Sequence, residues 1–166
     1  MKQSIDTIVE FMQQQSITLV TAESCTAGLI AATVADVKGA GQLLDCAFVT
    51  YSPEAKRRCL GVKAETLRQH NLTSEPVARE MAVGALQQSP ANLAIANTGV
   101  ADDADDAIPA GTQCFAWAFR SVENAVHVYS ETQKFSGDRN TIREHSAEYA
   151  LQRIPYYHAK TPKSPF

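Results

Sequence analysis

The chain has 166 residues, of which 45% are apolar and 20% charged, and a formal charge of −3. This suits one globular domain able to bury a core without disulfides or metals. It carries no footprint of a nucleic-acid partner, and no apolar run is long enough for a membrane-spanning helix.

Along the chain, Ile5, Ile8, Val9 and Met12 recur at helical spacing, so the segment from Met1 to Gln15 reads as an amphipathic helix rather than an apolar leader. Residues 17–22 form a short β-rich run, and helix-favouring 27–35 follows almost at once. Gly39 and Gly41 mark a loop before a second strand at 47–51. Pro53 opens a short helix that Gly61 closes after Leu60. A helical piece at 64–70 precedes a longer helix capped by Ser74, running to about Gln88 with Val77, Met81 and Ala85 inward. Residues 92–97 give a third strand, and 98–109 a polar loop. Strands at 112–119 and 125–132, joined by a short connection, suggest an antiparallel hairpin. Asp138 caps a last helix ending before Pro155, after which the proline-bearing tail at 155–166 is expected to be irregular, leaving 1–154 as the domain.

Strands alternating with helices and ending in a hairpin imply an α/β fold, a three-layer α/β/α sandwich with a mixed, mostly parallel sheet. Helical crossovers make the first three strands parallel, with their C-terminal ends along one edge, where open α/β sheets bind ligands. Three segments leave that edge: 23–28, 52–56 and 98–111.

Ser24 stands in the first, at a strand-to-helix junction whose free N–H groups could hold an anion or oxyanion. A serine needs a base to become a nucleophile, and a Ser–Lys pair is one known solution. Lys56 is the one lysine expected near the edge, and Tyr51 could orient it or relay a proton. Each residue has a plainer reading. On pattern alone an N-cap role is favoured for Ser24 by about two to one, with Thr26 an equal candidate. Lys56 sits in Lys56-Arg57-Arg58, where basic residues ordinarily face solvent, and Tyr51 could be half-buried packing. Cys25 is a weaker nucleophile candidate because no histidine falls at this edge. Thr98 and Gly99 could touch a ligand through hydroxyl and backbone N–H. Arg139 could pair with a phosphate, whereas Arg143 reads as a surface arginine.

Four segments together resemble the C-terminal domain of the competence/damage-inducible CinA family, across roughly Ile5 to Leu151. Thr21-Ala22-Glu23-Ser24-Cys25-Thr26-Ala27-Gly28 is similar to the family's A-E-S-C-T-G-G. Residues 49–58, with Tyr51-Ser52 and Glu54-Ala55-Lys56-Arg57, resemble its A-Y-S-N-E-A-K-R. Ser74-Glu75-Pro76-Val77-Ala78 with Met81-Ala82-Val83-Gly84-Ala85 matches S-E-x-V-A and M-A-x-G-A. Phe135-Ser136-Gly137-Asp138-Arg139 with Ile142-Arg143 matches F-x-G-D-R-x-x-I-R. The family includes stand-alone nicotinamide mononucleotide deamidases. The resemblance therefore implies hydrolysis of that amide to nicotinate mononucleotide and ammonia. It implies Ser24, Tyr51 and Lys56 as catalytic residues, with Glu23, Cys25, Thr26, Thr98, Gly99 and Arg139 around the substrate. It implies a small-molecule partner and no metal or organic cofactor.

The chain departs from the family at T-G-I-A-G-P, where it reads Thr98-Gly99-Val100-Ala101-Asp102-Asp103 and continues through Asp105 and Asp106. Aspartates beside a substrate phosphate would repel it. Ala27 also replaces a family glycine. Two readings follow: an amidohydrolase whose activity this loop impairs or alters, or a non-catalytic nucleotide-binding or regulatory paralogue.

The four cysteines, Cys25, Cys46, Cys59 and Cys114, are scattered and share no ligand spacing with the four histidines. Reduced thiols, no zinc site and a cytoplasmic location are the expectation. Homo-oligomerisation is left open by the sequence.

Overall fold

A computed structural model describes residues 3–102 and 107–163. The elements in chain order are α1 (Ile5–Gln14), β1 (Leu19–Glu23), α2 (Leu29–Ala35), β2 (Leu44–Val49), α3 (Pro53–Leu60), α4 (Ala64–Gln69), α5 (Glu75–Gln87), β3 (Leu93–Gly99), β4 (Thr112–Arg120), β5 (Val126–Lys134), α6 (Arg139–Gln152) and α7 (Ile154–Lys160). The five strands form one sheet in the order β2-β1-β3-β4-β5. β1 pairs in parallel with β2 and β3, and β4 and β5 add an antiparallel hairpin. The α/β architecture read from the sequence is therefore the one observed.

The two faces of the sheet differ in side-chain size, and the alternation of β3 and β4 accounts for it. Leu93, Ile95, Phe115, Trp117 and Phe119 point to one face and pack under α1, α2, α6 and α7. Ala94, Ala96, Cys114, Ala116 and Ala118 point to the other, where small side chains let α5 lie close through Ala78, Met81, Ala82 and Ala85. Trp117 is fully buried, and its Nε1 donates to the Ala150 carbonyl at 2.9 Å, so this large ring pins α6 without leaving a polar atom unpaired.

The tail expectation is corrected for Ile154–Lys160, which form α7. Pro155 falls in the first turn, where no backbone donor is needed. Ile154 and Tyr157, one turn apart, supply the buried face, and Tyr157 stacks on Trp117 at 4.6 Å and on Tyr129 at 4.9 Å between ring centroids. The prolines mask this helix in the sequence, because they read as breakers unless their position in the turn is known.

The first crossover is also corrected. α2 begins at Leu29, not at residue 27, because Ala27 (φ 46°) and Gly28 (φ 99°) are left-handed. Strand register places the consequence. Glu23 lies level with Val49 on β2 and Asn97 on β3, so the three parallel strands end together and their following loops meet.

Candidate active site

At this edge the left-handed turn wraps residues 24–28 around the carboxylate of Glu23. Glu23 Oε1 accepts from Thr26 Oγ1 at 2.7 Å, Gly28 N at 3.1 Å and Ile30 N at 2.9 Å. Its Oε2 accepts from Thr21 Oγ1 at 2.8 Å and Ala31 N at 3.1 Å. An internal carboxylate thus fills the positive start of α2. Two expectations fall with it. Ser24 and Thr26 are not the helix cap, since Gly28 holds that position. The α2 N–H groups are not open to an oxyanion. Glu23 and Thr26, both 0% exposed, brace the turn.

With its hydroxyl freed from capping, Ser24 presents Oγ to Lys56. Lys56 lies in α3, which Ser52 caps by accepting from Ala55 N at 3.0 Å and which Pro53 opens. This start turns Lys56 inward while Arg57 and Arg58 stay outside as partners of Glu54. Lys56 is 1% exposed, against the solvent-facing reading of its basic run. Its Nζ is 3.0 Å from Ser24 Oγ, 2.7 Å from the Thr50 carbonyl and 3.2 Å from the Tyr51 carbonyl. No carboxylate is among those partners, and burial pushes its pKa down to about 8. The same three contacts suit the neutral amine, whose two N–H groups would serve the carbonyls while its lone pair accepts the Ser24 proton.

Tyr51 reaches Lys56 through its backbone carbonyl, not its phenol. The residue is 56% exposed, and its hydroxyl accepts from Arg139 at 3.1 Å. Arg139 also pairs with Asp102 at 2.6 Å, a bond that holds the guanidinium more firmly protonated. Asp103, Asp105 and Asp106 lie outside the described residues. Arg143, read from sequence as a surface residue, instead donates to the Cys25 carbonyl at 2.9 Å and the Thr26 carbonyl at 3.4 Å, clamping the serine turn from α6.

A cleft of about 230 Å³ opens over the pair, lined by Ser24, Cys25, Tyr51 and Lys56 on one side and by residues 71–73 and 98–100 on the other. Thr98 and Gly99 both line it, but the Thr98 hydroxyl is spent on the Leu72 carbonyl at 2.9 Å, tying the 71–73 loop down. Cys25 has its thiol under Gln113, whose Nε2 donates to Sγ at 3.4 Å; burial pushes that thiol's pKa up, which keeps it protonated. Among the described residues the Cys25 backbone N–H has no hydrogen-bond acceptor.

The sequence pattern does not single out Asn97 and Gln113, which hold this arrangement from below. Asn97 Oδ1 accepts from Thr26 N at 3.1 Å and its carbonyl accepts from Ser24 N at 3.0 Å, while Nδ2 donates to Gln113 Oε1 at 2.9 Å. The end of the Gln113 side chain lies where a Cβ on Gly99 would stand, so a larger residue there would have to displace that amide. The available signal was an amide inside each of two otherwise apolar strands, since a buried amide must find partners. Among the described residues no group of three or more His, Cys, Asp or Glu side chains could hold a metal ion, and no helix is long and apolar enough to cross a membrane.

The mixed five-stranded sheet with helices packed on both faces places the chain in the α/β class. A sequence model of the CinA C-terminal domain matches residues 1–157, and the chain belongs to that family. It is 40% identical over 145 residues to the Escherichia coli K12 protein named nicotinamide-nucleotide amidohydrolase PncC, covering 86% of each chain. It is 43% identical over 152 residues to a putative competence-damage inducible protein of Symbiobacterium thermophilum, of which it spans 36% of the length while 88% of this chain is matched. The crystal structure of competence damage-inducible protein A (ComA) from Klebsiella pneumoniae superposes with a TM-score of 0.86 at 33% identity, covering 96% of this chain and 100% of that one.

Proposed function

We propose that this chain is a serine amidohydrolase acting on the carboxamide of nicotinamide carried by a nucleotide or nucleoside. The observation that carries the reading is Lys56 Nζ, buried without a carboxylate and 3.0 Å from Ser24 Oγ. A buried lysine with three neutral acceptors gains little as a structural ion pair, but burial poises it to exchange a proton near neutral pH. The PncC relatives are named for the same chemistry.

In this mechanism the neutral Lys56 amine takes the Ser24 hydroxyl proton as Oγ attacks the amide carbon. The oxygen that becomes negative lies toward the Cys25 N–H, the residue after the nucleophile being a recurrent oxyanion donor. Lys56 then passes its proton to the amide nitrogen, the C–N bond breaks, and ammonia leaves. Water attacks the Ser24 ester and gives its proton to Lys56. The C–O bond to Ser24 breaks, and Lys56 returns that proton to Oγ, leaving the carboxylic acid. Tyr51 contributes its carbonyl to hold Lys56, and its exposed ring forms a wall against which a pyridine ring can lie. A cleft of about 230 Å³ admits a ring carboxamide but not a whole nucleotide, so the remainder of the substrate would lie across Tyr51 and Arg139.

The alternative, a binding or regulatory paralogue without turnover, is less well supported because Asp102 engages Arg139 and leaves the Ser24–Lys56 pair intact. The test is ammonia release from nicotinamide mononucleotide and nicotinamide riboside, with Ser24→Ala alongside. Turnover that Ser24→Ala lowers by roughly 100-fold or more supports the hydrolase. No turnover of either amide, or turnover indifferent to the substitution, defeats it.

A further inference from the structure

Lys56 lines the cleft, Arg139 and Arg143 contact residues that line it, and the three cations are committed differently. Lys56 is held inside by Ser24 and two carbonyls. Arg143 is spent on the carbonyls of Cys25 and Thr26. Arg139 stands on the rim, where one nitrogen donates to the Tyr51 hydroxyl at 3.1 Å and another lies 2.6 Å from Asp102 Oδ1. Its fork geometry is the kind that binds a phosphate, and it lies where the part of a substrate beyond the ring would pass. The carboxylate of this chain already occupies it.

We infer that Asp102 is a resident anion on the rim cation Arg139, which makes the site select amides with an uncharged tail, of the nicotinamide nucleoside kind, over their phosphorylated counterparts. This rests on the amide-binding reading of the Ser24 cleft. A phosphate entering here must either displace Asp102 from Arg139 or lie beside a like charge, and a nucleoside meets neither obstacle. Both side chains are about half exposed, at 42% and 50%, so solvent screening keeps the discrimination modest, on the order of 10-fold.

The experiment measures binding of nicotinamide mononucleotide and nicotinamide riboside by calorimetry in the full chain carrying Ser24→Ala, so that neither ligand is consumed. The nucleoside is expected to bind at least as tightly as the nucleotide. Asp102→Asn should shift the ratio of the two affinities toward the nucleotide by about 10-fold, Asp102→Glu should keep the starting ratio, and Arg139→Gln added to Asp102→Asn should cancel the gain. A nucleotide preference that Asp102→Asn leaves unmoved overturns the inference, as does failure of both ligands to bind. Ammonia release by the chain with Ser24 intact is read separately. The expected ratios without turnover defeat the hydrolase and keep the selection, whereas turnover with the nucleotide preferred does the reverse.

Discussion

Replacing Lys56 by methionine should exchange catalysis for stability, in a pH-dependent way that the burial of Nζ specifies. In the folded chain the lysine pKa lies at about 8, against 10.5 when exposed. Below pH 8 both states hold the proton, and the folded state bears the whole cost of the buried charge. Between those values the unfolded chain retains a proton that the folded chain has released, so native stability rises with pH. From pH 7 to pH 10 the lysine should therefore add about 2–3 kcal/mol to wild-type stability that Lys56→Met lacks. Urea unfolding of both chains at a series of pH values measures the difference, and groups remote from Lys56 cancel in the subtraction. At pH 7 the variant should be the more stable, less whatever is lost when the Thr50 and Tyr51 carbonyls give up their donor. Its ammonia release should fall roughly 100- to 10,000-fold. In the wild type kcat/KM should climb with unit slope to a plateau above pH 8, since only about one-tenth of Lys56 is neutral at pH 7. A stability difference flat across this range would refute the reasoning, because it would mean that Lys56 does not lose its proton in the folded chain before the unfolded one.

Two further substitutions probe the turn that carries Ser24. Glu23→Ala strips the acceptor from five donors and should cost about 3–5 kcal/mol in urea unfolding, with activity lost as the turn opens; a cost below about 1 kcal/mol would mean that the carboxylate does not organise it. Ala27→Gly relieves a left-handed residue (φ 46°) and should stabilise by about 0.5–1 kcal/mol after the added freedom of the unfolded chain, read as a rise in Tm of roughly 2 °C; a fall in Tm would refute the strain.

Most of what surrounds the site could be read locally. Ser52, Ser74 and Asp138 cap their helices through contacts three residues away, and the large–small alternation of Phe115, Trp117 and Phe119 with Cys114, Ala116 and Ala118 announces a strand with two different faces. The ordered motifs were sufficient to bring Ser24, Tyr51 and Lys56 into one argument. Their roles relative to the neighbouring residues were not legible. Ser24 and Lys56 are 32 residues apart, Thr26 and Asn97 71, and Arg143 and Cys25 118, so each contact depends on strand register and helix packing rather than on spacing along the chain. The same holds for Glu23, which its motif offers as a substrate contact. Only the folded turn, through the left-handed backbone of Ala27 and Gly28, brings the α2 N–H groups onto its carboxylate and buries it. Sequence alone thus determined the family and most of the helices and strands, though not α7 or the start of α2, because caps and periodicity act over a few residues. Tertiary structure decided which polar groups are spent on each other and which are left to meet a ligand, because a buried hydrogen bond is chosen by what the whole fold brings within about 3 Å.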